Sequence, residues 1–149
     1  MHKHQDRKSI LQITFFTLLL LTIILFLTYT SEDVRWGGGF WETWLGRHVQ
    51  LGSAAAHQIV FWFRKTMHFL GYGALGILFW YYFYLWRINL CMWLGIGATA
   101  AVAVYDEYAQ SLTGFRSGKP EDVALDICGA LAICLAARWM RTKLRSKVN

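Results

Sequence analysis

Four apolar stretches limit what this chain can fold into. They cover residues 10–29, 69–86, 90–105 and 123–139, and the first has no charged residue. About twenty such residues cross a bilayer as one α-helix. The two later stretches are short, so their helices are expected to extend into flanking polar residues. With 56% hydrophobic residues in 149, the sequence predicts an all-α, polytopic membrane protein: a four-transmembrane-helix bundle in a single domain, residues 1–149.

The distribution of Lys and Arg residues predicts the orientation of this bundle. The N-terminal segment, the turn at Arg87 and the C-terminal tail hold nine of the fifteen basic residues and a single acid, Asp6. The opposite side holds the other six basic residues and eight acids. Basic residues favour the cytoplasmic side, so both termini are predicted to be cytoplasmic. The first stretch is longer than a signal-peptide core and no A-x-A site follows it, which favours an uncleaved span.

Residues 31–64 connect the first two spans and are rich in aromatic side chains. Trp36, Phe40, Trp41 and Trp44 surround the glycines at 37–39. Tryptophan favours the membrane–water interface, because its ring is apolar and its N–H is polar. We expect a short turn followed by an extracytoplasmic interfacial helix that is either an anchor or a lid over a site.

Polar residues lie at corresponding ends of the last three spans. Within each span they are three, four or seven residues apart, so they share one helix face. Polar groups inside a bilayer are costly and usually mark a site. We therefore predict one outward-facing polar pocket. Its residues are Lys65, His68, Tyr72, Asp106, Glu107, Gln110, Arg116, Asp122 and Asp126.

The residue types suggest roles within this pocket. His68 with Asp106 or Glu107 suits acid–base chemistry. Lys65 and Arg116 suit a phosphate or carboxylate group, and Arg116 is expected to pair with a carboxylate. Substrate binding is assigned to Lys65, Tyr72, Gln110, Arg116, Asp122 and Asp126. A histidine with several acids could also hold a divalent metal, although a single histidine makes a zinc site less convincing; no metal ligand is assigned and the cofactor is left unspecified.

The same residues resemble the motifs of the VanZ-like family, over a motif-bearing part of about residues 65–137. The motifs are Lys65-x-x-His68-Phe69-x-x-Tyr72, Asp106-Glu107-x-x-Gln110, Phe115-Arg116, Asp122 and Asp126-x-x-Gly129. The resemblance implies a small integral membrane protein of the bacterial envelope and a link to teicoplanin resistance, but no particular reaction. Many members have Asn where this chain has Asp126, so the extra carboxylate either strengthens cation or metal binding or pairs with Arg116.

Three functions fit these observations. The first is an enzyme in the bacterial cytoplasmic membrane that hydrolyses, or transfers a group from, a lipid-linked or amphipathic envelope substrate. The second is a non-catalytic module that binds an envelope lipid or antibiotic, and the third is a small transporter or flippase component. Membrane lipids are the expected partners, and the oligomeric state is left unspecified. The positive charge is concentrated beside apolar stretches, which argues against nucleic-acid binding.

Overall fold

The computed structural model describes residues 2–32, 38–50, 52–112 and 119–147. These residues form five helices and no strand, which confirms the all-α prediction. The helices are α1 (His2–Glu32), α2 (Gly38–His48), α3 (Ser53–Leu85), α4 (Cys91–Leu112) and α5 (Pro120–Ser146). Trp36 and Gly37 of the aromatic segment lie outside the described residues, as does Arg116.

Among the described residues, one helix is both long enough and clearly apolar enough to cross a membrane. This helix is α5, and α1 contains a shorter apolar stretch, Ile10–Leu25. The last part of α3 is rich in Trp and Tyr, and α4 carries Asp106 and Glu107, which makes both helices less apolar. The four-span bundle therefore stays a prediction.

The third helix begins earlier than the sequence pattern predicted. It starts at Ser53 after Gly52, which has extended backbone angles, so residues 53–64 continue α3. The prediction of a single interfacial helix within residues 31–64 was therefore incomplete. The segment contains α2, and from Ser53 onward it belongs to α3. Alanine favours helix, and three alanines follow Ser53 without an interrupting glycine or proline before Gly71.

The helices α4 and α5 extend into polar sequence as expected. The fourth ends at Leu112, and the fifth runs from Pro120 to Ser146. Proline suits the first turn because its missing N–H needs no partner there. Glu121 and Asp122 also lie in that turn, where the helix dipole favours negative charge.

Glycines allow α3 to approach both α4 and α5 closely. A Cβ at Gly129 would overlap the Phe69 carbonyl, and one at Gly95 would lie 2.6 Å from the Trp80 nitrogen. The missing side chains at Gly95 and Gly129 therefore let the helices pack closely. At Gly97 nothing lies within 4 Å of such a Cβ. Gly97 is on the exposed face of α4.

Contacts of α1 show which ends of the helices lie together. The Phe16 ring is 4.9 Å from the Tyr81 ring, near the end of α3, whereas Leu20 packs with Tyr72 and Leu75. The Arg141 guanidinium of α5 lies 5.6 Å from the Tyr84 ring. The N-terminal half of α1 and the C-terminal part of α5 therefore share one end of the bundle.

Large apolar side chains cover the outer faces of the bundle. Soluble monomers rarely expose broad apolar patches, and a lipid-facing surface has this character. Exposed examples on three helices are Trp62, Leu70, Trp93, Leu135 and Trp139.

Candidate functional site

Polar side chains from three helices meet at one end of the bundle, opposite the end where α3 turns into α4. We call this group the polar cluster. It contains eight of the nine predicted site residues, and the ninth, Arg116, lies outside the described residues. The members are Lys65, His68, Tyr72, Asp106, Glu107, Gln110, Asp122 and Asp126.

The cluster joins α3 to α5 through His68 and Asp126. The His68 Nδ1 atom lies 3.2 Å from Oδ1 and 3.4 Å from Oδ2 of Asp126. Asp126 is fully buried, and the His68 side chain is 22% exposed. The close approach of Gly129 to the backbone of Phe69 brings the two helices together beside this pair.

A second contact joins α3 to α4 through three buried side chains. The Tyr72 hydroxyl donates to Asp106 Oδ2 at 3.0 Å, and Gln110 Nε2 donates to the same oxygen at 2.9 Å. Asp106 Oδ1 is buried and has no hydrogen-bond partner among the described residues. This arrangement fixes the Asp106 carboxylate, and within the described part of the chain one of its oxygens has no donor.

A third contact joins the end of α4 to the start of α5. The backbone N–H of Lys119 donates to Glu107 Oε2 at 2.9 Å. The other carboxylate oxygen, Oε1, is buried without a partner in the described part of the chain. Sequence reasoning missed Lys119, because a backbone donor leaves no signal in residue types.

Lys65 and Asp122 form an ion pair near the surface of the cluster. Both side chains are about three-quarters buried, with 24% and 20% exposed. The Lys65 ammonium also lies 5.5 Å from the Phe61 ring centroid, a distance at which a cation is attracted to the ring face. Lys65 therefore contacts Asp122 on α5 and Phe61 on its own helix, α3.

Three members of the cluster have the spacing of a metal site. His68, Glu107 and Asp126 each offer one donor atom, and these atoms lie within 4.8 Å of one another. Each residue comes from a different helix. The sequence analysis assigned no metal ligand because the pattern has a single histidine, and spacing along the chain does not show that these three residues meet.

The fold and the cluster define a class: a small α-helical bundle with apolar outer faces and buried ionisable groups at one end. The VanZ/LLP1 family model matches residues 13–141. The chain therefore belongs to the VanZ/LLP1 family, and the resemblance seen in residues 65–137 is confirmed. The match covers the whole polar cluster and most of α1. No curated protein and no solved structure matches the chain.

Proposed function

We propose that this protein spans the bacterial cytoplasmic membrane with α1, α3, α4 and α5, and that both termini are cytoplasmic. The shared end of α1 and α5 supports this topology, because it carries the basic tail of α5. Basic residues favour the cytoplasmic side. The polar cluster, at the opposite end, then faces outward, with α2 at the outer interface.

Labelling of single cysteines from outside the cell tests this topology. The starting protein would have Cys91 and Cys128 replaced by serine and would retain the buried Cys134. A cysteine at the exposed Glu121 should react with an impermeant maleimide in intact cells. One at the exposed Lys143 should react only after permeabilisation. Reaction of both from the same side would contradict the proposal.

Within this topology, the polar cluster binds the head group of an amphipathic or lipid-linked envelope molecule and acts on it by hydrolysis or group transfer. One observation supports this most strongly: charged side chains from three helices are buried together in a bundle whose outer faces are apolar. Buried charges are costly unless they serve a site or pair well. A ligand could place its apolar chain along the exposed faces and its head group at the cluster.

The contacts refine the roles assigned from the sequence. Lys65 remains a cation for a phosphate or carboxylate, and Arg116 is assigned to the same ligand group. Asp106 is held by Tyr72 and Gln110, which suits it to positioning rather than to proton transfer. His68 and Glu107 are the remaining groups for binding the head group or moving a proton.

A non-catalytic binding module is the second candidate. It is favoured by the number of cluster residues that already bond one another: Lys65 with Asp122, and Tyr72 and Gln110 with Asp106. Such bonds hold three helices in place without requiring a reaction. Turnover separates the two candidates.

The experiment uses the full chain in detergent and two probes, a polyprenyl phosphate and a polyprenyl pyrophosphate. Native mass spectrometry measures binding, and release of inorganic phosphate measures turnover. We expect binding, and release that falls at least about a hundredfold in His68→Gln, the usual effect of losing an acid–base group. Binding without release would favour the binding module.

The matched control is His57→Gln, which changes an exposed histidine of the same helix and should leave binding and release intact. Absence of binding to both probes by folded parent protein would overturn the proposed ligand class. Equal losses in His57→Gln and His68→Gln would assign the effect to general damage.

Family membership also supports a role in glycopeptide resistance. Expression in a teicoplanin-susceptible bacterium should raise the minimum inhibitory concentration of teicoplanin, and His68→Gln should abolish the increase. An unchanged inhibitory concentration, with the parent protein present in the membrane, would contradict this role.

A further inference from the structure

We infer that His68, Glu107 and Asp126 form a binding site for a divalent metal ion within the polar cluster. The three residues come from α3, α4 and α5, so the ion would join all three helices. This inference concerns metal binding alone and does not depend on the proposed lipid ligand.

The first support is the distance between the donor atoms. One atom from each residue lies within 4.8 Å of the other two. Metal–ligand bonds of about 2.0–2.2 Å hold donors roughly 3–4 Å apart. Side-chain rotations that move the donors by about 1 Å would therefore close the site around an ion.

The second support is independent of that spacing. Glu107 is 6% exposed and its Oε1 has no hydrogen-bond partner among the described residues. Asp106, its neighbour in sequence, is 8% exposed and has the same feature at Oδ1. Buried polar atoms are nearly always satisfied, and each exception calls for an explanation such as an ion. An ion bound to Glu107 would satisfy its free oxygen.

The charge of the cluster gives a third support. In the described part of the chain, it contains four carboxylates, one ammonium group and one imidazole. The ammonium, on Lys65, pairs with Asp122. Among the described residues, Asp106, Glu107 and Asp126 then have one remaining basic side chain beside them, His68. Buried carboxylates need paired cations, and a divalent ion supplies two positive charges.

The donor set indicates the class of ion. Imidazole favours Zn²⁺ and other transition metals, whereas carboxylates also suit Mn²⁺ and harder ions. One imidazole with two carboxylates therefore suits Zn²⁺ or Mn²⁺. Three protein ligands leave at least one coordination position open, where water or an anionic head group can bind. In the metal-bound protein, His68 is a ligand and does not act as the proton carrier.

Metal titration of the full chain tests the inference. The protein is purified in detergent, freed of metal with a chelator and titrated with Zn²⁺ alone by calorimetry, and with Mn²⁺ alone by electron paramagnetic resonance. We expect saturable binding of one ion per chain. Glu107→Gln, His68→Asn and Asp126→Asn should each weaken binding at least about tenfold, as loss of a ligand exceeds the usual cost of changing a supporting residue.

Two matched variants control for adventitious binding. His57→Asn and Glu121→Gln change exposed residues on α3 and α5 and should retain the affinity of the parent protein. Circular dichroism confirms that each variant is folded. Glu107→Gln is decisive if another variant fails to fold, because its amide retains the shape and an acceptor for Lys119. Absence of saturable binding of either ion by the folded parent protein overturns the inference, as does unchanged affinity in Glu107→Gln.

Discussion

The helices α3, α4 and α5 are joined differently at their two ends. One end holds the polar cluster, and the other, which we call the apolar half, contains Gly76, Trp80 and Gly95. In the apolar half, Gly95 lets α4 approach α3 at Trp80, and Gly76 lies against Ala130 and Cys134 of α5. In the polar cluster, the helices are joined by side-chain bonds, such as Tyr72 to Asp106. Glycine packing therefore joins both halves, since Gly129 also lies against Phe69 beside the cluster, and the polar cluster adds donor–acceptor pairing to it.

This difference has consequences for stability and function. Close packing tolerates little added volume, because neighbouring backbone atoms cannot move aside. A polar network tolerates a substitution when every remaining polar group keeps a hydrogen-bond partner. A substitution that leaves one buried group without a partner lowers the stability. Two carboxylate oxygens of the cluster lack partners among the described residues. We therefore expect the apolar half to contribute most of the folding stability. The polar cluster contributes less, because its unpartnered groups are kept for ligand binding.

The largest effect is expected from Gly95→Ala. The new Cβ would lie 2.6 Å from the Trp80 nitrogen, so α3 and α4 would have to separate. We expect a loss of about 3 kcal/mol in the free energy of unfolding, measured by denaturant titration in detergent. Gly97→Ala is the control, because its Cβ meets nothing within 4 Å and alanine favours helix. Equal losses in both variants would remove close packing as the explanation.

Tyr72→Phe is expected to have the next largest effect. It removes the hydroxyl that donates to Asp106 and leaves the ring in place. Hydrogen bonds to charged groups contribute about 1.5–3 kcal/mol, so we expect a loss of about 2 kcal/mol by the same measurement. Tyr108→Phe, at an exposed position of α4, should change little. An unchanged stability of Tyr72→Phe would show that the Asp106 pairing is not a stabilising contact.

Glu107→Gln should raise the free energy of unfolding, whereas the two preceding substitutions lower it. The amide oxygen can still accept from Lys119. The substitution also removes a buried charge, one oxygen of which has no partner among the residues that the structure describes. We expect the metal-free variant to be about 1 kcal/mol more stable than the metal-free parent. Zn²⁺ should raise the melting temperature of the parent protein and not that of the variant. A loss as large as that of Tyr72→Phe would show that another group already compensates Glu107.

The smallest effect is expected at the Lys65–Asp122 pair. Although both side chains are about three-quarters buried, they lie at the surface of the cluster with 24% and 20% exposed, so solvent still screens the pair and keeps its contribution small. A double-mutant cycle with Lys65→Met and Asp122→Asn should give a coupling energy of about 0.5–1 kcal/mol. A coupling energy larger than that between Tyr72 and Asp106, measured by the same kind of cycle, would contradict this ranking. It would make Lys65–Asp122 the stronger contact between helices.

The membership of the cluster could be predicted from the sequence, but its pairings could not. Intervals of three, four and seven residues place Lys65, His68 and Tyr72 on one face of α3 without reference to other helices. The rotation of α4 and α5 against that face depends on packing at glycines. The sequence therefore named Asp106 and Glu107 as candidate acid–base partners of His68 but did not fix which carboxylate His68 contacts, and in the structure it contacts Asp126.

The extent of the helices was also predicted only in part. Apolar periodicity located the helical regions around residues 69–86, 90–105 and 123–139, and all three are helical. It missed residues 53–64 of α3, because that segment is alanine-rich and polar near its start and has no long apolar run. The predicted pairing of Arg116 falls outside the described residues and stays a prediction.

The length of α3 has a mechanical consequence. Its 33 residues rise by about 1.5 Å each, or about 50 Å in total, whereas the hydrocarbon layer is about 30 Å thick. Tilt of ordinary size absorbs only part of this excess. On the proposed topology, the start of α3, residues 53–58, forms a rigid arm that projects beyond the bilayer, and α2 is attached to it through Glu42 and His57. A force on α2 would therefore reach His68 along one continuous helix.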